Sequence, residues 1–100
     1  MYQEQQKMSF NQTSATERAK QDLAERIDVS VDEIEEDFVS ETEFPDMSLG
    51  APVGDEMSAQ MIASGWKIIL KADGTKYEYR ADKYSLRLVD CKGINYIVVS

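Results

Sequence analysis

The stretch that decides the fold is GWKIILKADGTKYEYRAD, residues 65–82. Two runs of alternating apolar and polar residues flank Asp73-Gly74, a pair that tolerates the positive φ angles of a tight hairpin turn. A two-residue turn places Ala72 opposite Thr75, and counting outwards from this pair fixes every other pair of the hairpin. One face then carries the larger apolar side chains, which are Trp66, Ile68, Leu70, Tyr77 and Tyr79. The stretch therefore predicts a β-hairpin with one face in the core.

Three further strands are predicted on either side of this hairpin. Residues 34–44 alternate with a period of two, which is typical of a strand with one acidic face and one largely buried face. Pro45 ends this strand, because proline has no N–H to donate to a neighbouring strand. Residues 85–90 and 95–99 flank a Lys-Gly pair, and they predict a second hairpin.

A helix is predicted before the first strand. Ser14 and Glu17 have the spacing of a capping box, so we expect the helix to run from about Ala15 to Arg26. Its apolar residues recur every four positions and form one narrow stripe, which consists of Ala15, Ala19, Leu23 and Ile27. The same capping spacing recurs at Ser30 and Glu33, where it predicts a single helical turn.

Together these elements predict one α+β domain over residues 14–100, in which an N-terminal helix packs on a mainly antiparallel sheet of about five strands. Residues 1–13 are rich in Gln, Asn and Ser, and we expect them to form a disordered tail. A chain of 100 residues with 42% hydrophobic content supports one domain with a small core. We expect this domain to be a monomer.

The segment between the first strand and the hairpin is dense in turn residues. FPDMSLGAP, residues 44–52, holds two prolines, a glycine and an aspartate within nine residues. Pro45 and Asp46 follow the strand, and Gly50 and Pro52 bend the chain. The pattern predicts a structural corner in which Leu49 enters the core.

The charge of the chain is unevenly distributed. The net charge is −8, and residues 1–50 carry 4 basic and 13 acidic side chains, whereas residues 51–100 carry 7 basic and 6 acidic ones. This balance disfavours nucleic acid and anionic membranes as partners. No apolar run is long enough to span a membrane, and the N-terminus has no signal-peptide pattern. With a single cysteine, which excludes an internal disulfide, we expect a cytoplasmic protein.

Enzymatic activity is not expected. The chain has no histidine, so the usual general base and the Ser-His and Cys-His pairs are excluded. A dyad of Ser64 and Lys67 is a weaker alternative, because serines beside turns are common. Cys91 lies in a predicted turn, where a lone thiol is more often inert than reactive. No catalytic residue is therefore assigned.

A cluster of carboxylates raises the question of metal binding. Five acidic residues lie close together in the sequence, and they are Asp32, Glu33, Glu35, Glu36 and Asp37. Carboxylate oxygens are the ligands that Ca²⁺ prefers, which makes these residues the candidate site for a calcium cofactor. The spacing does not match an EF-hand loop, and alternation along a strand points neighbouring side chains to opposite faces. A solvated acidic face is therefore the preferred interpretation, with calcium binding as the alternative.

The outward face of the first hairpin is basic. It carries Lys67, Lys71, Lys76 and Arg80, and the register places like charges side by side, which is unfavourable. We expect the acidic strand to lie beside this face and to neutralise it, with Val39 next to Ile69. The alternative is that the face binds an acidic protein or peptide. A nucleic-acid site would need exposed aromatic residues between the basic ones, but Tyr77 and Tyr79 point to the opposite face.

Several segments carry a family resemblance. ERAKQDLAERIDVSVDEIE, FPDMSLGAP, EMSAQ, SGWKIIL and DGTKYEYRAD together resemble a small, poorly characterised prokaryotic domain over roughly residues 17–82. Members of that family can carry a cysteine pair where this chain has Ser48 and Ser58, which implies that these two serines lie close together. The order of helix, strand and hairpin is also similar to the PepSY domain, which implies a protease-inhibitory role.

These observations favour a small protein-interaction module without enzymatic activity, whose partner is an unknown protein or peptide. A calcium-binding protein and a PepSY-like protease-inhibitory module are the two alternatives from other functional classes.

Overall fold

The computed structural model describes residues 9–100, and residues 1–8 of the predicted tail lie outside the described residues. Helix α1 spans Gln12–Ile27, and a 3₁₀ turn spans Val31–Glu33. Five strands follow, namely β1 (Glu35–Phe44), β2 (Ala63–Ala72), β3 (Thr75–Ala81), β4 (Leu86–Cys91) and β5 (Ile94–Val99). They form one antiparallel sheet in the order β1-β2-β3-β4-β5. The predicted α+β architecture is confirmed.

Helix α1 begins earlier than the sequence pattern predicted. Its N-cap is Asn11, whose Oδ1 accepts from the Ser14 N–H at 2.8 Å, while the Ser14 Oγ accepts from the Asn11 N–H at 2.9 Å. The capping box is therefore Asn11–Ser14, because asparagine at the cap offers the same acceptor as serine and gains one more helical turn. Just before the cap, the Phe10 N–H donates to the Lys83 carbonyl at 2.7 Å. The ordered domain thus extends into the segment that was predicted to be a tail.

The helix covers one face of the sheet, here called the inner face. Ala15, Ala19 and Leu23 are fully buried, which confirms the predicted stripe. Small alanine side chains let the helix lie close to the strands, where it meets the fully buried Ile68 and Leu70. The remaining members of this core are Ala24, Ile34, Ala72, Tyr79, Ala81, Leu86 and Leu88.

The first hairpin has the predicted register at every pair from Ala72–Thr75 to Trp66–Ala81. Asp73 and Gly74 adopt φ angles of 51° and 80°, as a two-residue hairpin turn requires. The second hairpin is confirmed as well: Lys92 and Gly93 adopt φ angles of 55° and 83° between β4 and β5.

The register of β1 differs from the prediction because of a β-bulge. The pairing shifts between Glu36 and Phe38, so Phe38 lies opposite Ile69 and Val39 opposite Ile68. The expected contact of Val39 with Ile69 is therefore wrong. One extra residue in a strand moves every later side chain to the other face, and alternation in the sequence does not reveal it.

Residues 45–62, here called the corner loop, fold over part of the second face, the outer face. The Asp46 Oδ1 accepts from the Ser48 N–H at 3.0 Å, the Ser48 Oγ at 2.6 Å and the Gly50 N–H at 3.2 Å. Leu49 is fully buried against Phe44 and Ala63, as the sequence predicted for a corner. The Met47 N–H donates to the Ala59 carbonyl at 3.1 Å, which brings the segments of the two serines side by side.

Within residues 9–100, none of the helical structure has the length and apolar character needed to cross a membrane.

Candidate functional site

The corner loop rests on a row of basic residues. Lys67, Arg80 and Arg87 lie in register across β2, β3 and β4 on the outer face. The Arg80 Nη1 donates to the Leu49 carbonyl at 2.9 Å, and the Arg80 Nε donates to a Glu78 carboxylate oxygen at 2.7 Å. Arg80, one of the like charges that the sequence places side by side, therefore holds the loop against the sheet.

Arg87 makes the strongest of these contacts. Its Nη1 and Nη2 donate to the two carboxylate oxygens of Glu56 at 2.5 and 2.6 Å, and Nη1 also donates to the Ala51 carbonyl at 2.9 Å. The Arg87 side chain is only 6% exposed. Hydrogen bonding from Arg87 lowers the pKa of the Glu56 carboxyl to about 2. Charge and planar geometry together make this pair a clamp between the loop and β4.

The other half of the outer face is uncovered. Phe38, Ile69, Glu78 and Val89 form a second row across four strands. Phe38 remains 53% exposed. The row lies in an open groove of about 600 Å³, at whose side the Lys76 ammonium lies 3.4 Å from an Asp37 carboxylate oxygen. Both signs of charge meet here, so the groove does not select a partner by charge.

Two of the four basic residues predicted as an interaction site make contacts within the molecule. Arg80 is held by the corner loop and Glu78, and Lys76 pairs with Asp37. Lys71 lies directly opposite Glu35 of β1, and Lys67 lies opposite Ser40. The acidic strand does lie beside the hairpin, as the preferred interpretation of these charges expected.

The five carboxylates predicted as calcium ligands are spread over two faces. Glu36 faces the helix, where its oxygen lies 3.9 Å from the Lys20 ammonium, whereas Asp37 pairs with Lys76. Asp32 and Glu33 belong to the 3₁₀ turn that precedes β1. In residues 9–100, no group of three or more Cys, Asp or Glu side chains is arranged to hold a metal ion. Calcium binding therefore stays a prediction from the sequence.

The buried tyrosine between sheet and helix is part of the scaffold. Tyr79 is fully buried, and its hydroxyl donates to the Asp22 Oδ2 at 2.8 Å. Burial, followed by this hydrogen bond, raises the pKa of the Tyr79 hydroxyl above its usual range. Asp22 also accepts from the Arg26 Nε at 2.6 Å, and the Arg26 guanidinium lies 4.6 Å from the centre of the Tyr96 ring. This network ties α1 to β3 and β5.

The sheet has two outer edges, and β1 is the protected one. Five of its ten residues are acidic, namely Glu35, Glu36, Asp37, Glu41 and Glu43. The bulge at Asp37 interrupts the regular ladder of backbone groups. Charged side chains and bulges are the features by which natural sheets prevent further strands from pairing with an edge.

The other edge, β5, has no charged residue, although its register with β4 shifts between Leu86 and Arg87 and again between Leu88 and Cys91. Its sequence is INYIVV, without a charged residue, a proline or a glycine. In the described part of the chain, β4 is its one neighbour in the sheet, so the second side of β5 is open. Ile94 and Ile97 are 53% and 41% exposed. An uncharged, β-branched edge strand is a template for pairing with a strand of another protein.

The open edge was missed because the sequence predicts strands but not their order in the sheet. A signal was nevertheless present: residues 94–99 are the longest strand segment without a charge. Such a segment would be expected in the middle of a sheet, where both sides are paired. The structure places it at an edge instead.

Comparison with known proteins identifies the family of the chain. A family model described as "Domain of unknown function (DUF8738)" matches residues 16–91, so the chain belongs to this family. The matched region ends at the last residue of β4, and β5 lies beyond it. No curated protein and no solved structure matches the chain.

Proposed function

We propose that this member of the DUF8738 family is a protein-interaction module without enzymatic activity, which binds an extended segment of a partner protein along β5. The observation that carries the proposal is an uncharged outermost strand whose second side is open within residues 9–100. Ile94 and Ile97 add exposed apolar surface to this edge.

Strand addition explains how such an edge binds. The backbone N–H and C=O groups on the open side of β5 supply hydrogen bonds to an incoming strand, and the flanking side chains supply specificity. An apolar edge favours a segment with β-branched or aromatic residues at alternating positions and without proline. The expected partner is therefore an extended, weakly charged segment rather than the acidic peptide suggested by the basic residues of the first hairpin.

The edge is also held in place before binding. On the outer side, the Asn95 Nδ2 donates to the Pro52 carbonyl of the corner loop at 2.9 Å. On the inner side, the Tyr96 ring packs against the Arg26 guanidinium of α1. A strand that is fixed by both of its faces loses little conformational entropy when a partner binds.

A random peptide library displayed on phage tests this proposal. We expect the selected peptides to show alternating apolar residues, and we expect the amide signals of residues 94–99 to shift when a selected peptide is titrated into the labelled protein. An Ile97→Lys variant should lose the shifts, and a Phe38→Lys variant should keep them. Shifts confined to the groove at Phe38 and Ile69, or no selected peptide, would contradict binding along β5.

Protease inhibition, implied by the likeness to the PepSY domain, stays a prediction from the sequence.

A further inference from the structure

We infer that the strand bound by β5 is β5 of a second copy of this chain, so that two sheets join edge to edge about a two-fold axis. This inference rests on the proposed function, because it names the partner of the same edge. The resulting dimer has one continuous antiparallel sheet, to which each copy contributes five strands.

The side chains of β5 allow self-pairing in any register. A strand that meets itself about a two-fold axis places its own residue types opposite one another. Like charges in such positions are destabilising, but none of the six residues of β5 is charged. Four of the six are isoleucine or valine, which pack well against a second pleated strand.

The acidic strand β1 does not oppose this contact. The acidic residues of β1 lie at the far edge, four strand spacings from β5, which is about 19 Å at the usual spacing between strands. This distance exceeds the Debye length of roughly 8 Å at physiological ionic strength. The charge of the five acidic residues of β1 is therefore largely screened at the edge where the copies would meet.

The difference between the edges also limits the assembly to two copies. Pairing of β5 with β1 of the next copy would repeat without closing and would build a fibre. The five acidic residues of β1 disfavour that contact. When β5 pairs with β5, the open edges of both copies are used, and the outermost strands of the joined sheet are the two protected β1 strands. The inference replaces the monomer expected from the sequence, where the order of the strands was unknown.

Sedimentation equilibrium from micromolar to submillimolar concentration tests the inference. We expect the full chain to dimerise, and we expect Ile97→Lys to weaken dimerisation by at least about tenfold, which corresponds to 1.4 kcal/mol, since it places two like charges at the joined edge. The matched control is Phe38→Lys, which introduces the same charge at an exposed apolar residue of β1 and should leave the dimer intact. A wild-type monomer throughout this range, or a dimer unaffected by Ile97→Lys, would overturn the inference.

A mixed sample of one isotopically labelled and one unlabelled copy locates the contact without any substitution. Cross-peaks between residues 94–99 of the two copies are expected, and intermolecular cross-peaks elsewhere would overturn the inference. The outcomes also separate the two proposals. A monomer that binds selected peptides at β5 leaves the proposed function standing and removes self-pairing. A monomer that binds no peptide at β5 removes both.

Discussion

The two edge strands of the sheet, β1 and β5, differ in how far they are protected against pairing with a further strand. Within residues 9–100, each is an outermost strand whose backbone pairs with a neighbouring strand on one side only. On β1, half of the residues are acidic and a bulge breaks the ladder at Asp37, so further strands are kept away. On β5, the register with β4 also shifts, but every residue is uncharged, so charge is the feature that separates the two edges. The absence of protective charged residues, rather than any particular side chain, therefore distinguishes β5 as the candidate interaction surface.

The comparison also shows how little net charge says about binding. The chain has an average charge that would repel a second copy, yet five of its acidic residues lie on β1, the edge farthest from β5. Because screened charges act over about one Debye length, their position in the sheet matters more than their number.

The largest effect is expected from Gly65→Ala, which would break the sheet that separates the two edges. A Cβ at Gly65 would lie 1.9 Å from the Ala81 carbonyl oxygen, so β2 and β3 would have to move apart. We expect a loss of about 3 kcal/mol or more in the free energy of unfolding, measured by urea denaturation. Gly74→Ala is the control, because a Cβ there meets no atom within 4 Å and the φ of 80° costs only about 1 kcal/mol. Equal losses in both variants would contradict the close packing of β2 and β3.

A smaller effect is expected from Arg87→Met, which would loosen β5 but not β1. Arg87 lies directly opposite Ile97 of β5 and holds the corner loop through Glu56 and the Ala51 carbonyl. We expect the free energy of unfolding to fall by about 2 kcal/mol, because the Ala51 carbonyl loses its donor while the Glu56 carboxylate can turn to water. Hydrogen exchange should accelerate in β5 and remain unchanged in β1. Uniform acceleration over both edges would show that the clamp does not act locally.

The same pair predicts a dependence on pH. The pKa of Glu56 falls from an ordinary carboxyl value of 4.5 to about 2 on folding. The contribution of Glu56 to the free energy of unfolding is therefore complete above the unfolded pKa and is lost as the pH falls towards about 2. Denaturation of the wild-type chain should therefore become easier in this window. In Arg87→Met, this part of the acid dependence should become smaller, because only the Val53 N–H then still donates to the Glu56 carboxylate.

The smallest effect is expected from removing the protection of β1. Glu41→Thr with Glu43→Thr replaces two carboxylates by residues that favour strands, and we expect association at this edge to strengthen by about 1 kcal/mol, or roughly fivefold. Two open edges allow repeated pairing, so light scattering should detect assemblies larger than a dimer. Glu17→Thr with Glu25→Thr on α1 makes the same change in charge outside both edge strands. Equal scattering from the two variants would show that net charge, rather than edge protection, controls association.

Some parts of the fold were predictable because their determinants are local. The turn at Asp73-Gly74 sets every pair of the first hairpin, and the alternation of both strands agrees with that register. The helical stripe of Ala15, Ala19 and Leu23 is likewise a local pattern that the core confirms. In both cases, the residues that decide the structure lie within a few positions of one another.

Other parts depended on contacts between distant segments. Arg87 and Glu56 lie 31 residues apart, and neither position shows in the sequence that the two side chains will meet. The sequence predicted the corner loop as a structural corner, but it did not show that Arg80 and Arg87 bind this loop. The bulge at Asp37 moved Val39 to the inner face for a similar reason, since it satisfies the packing of β1 against β2 rather than a local preference.

By itself, the sequence determined the helix, the strands, the two hairpin turns and the class of fold, because periodicity and turn chemistry act over short distances. It also supplied the uncharged segment 94–99 and the acidic segment of β1. Only the tertiary structure decided that these two segments form opposite edges of one sheet. Strand order is a property of long-range pairing, and it is this order that turns an uncharged strand into a surface for a partner.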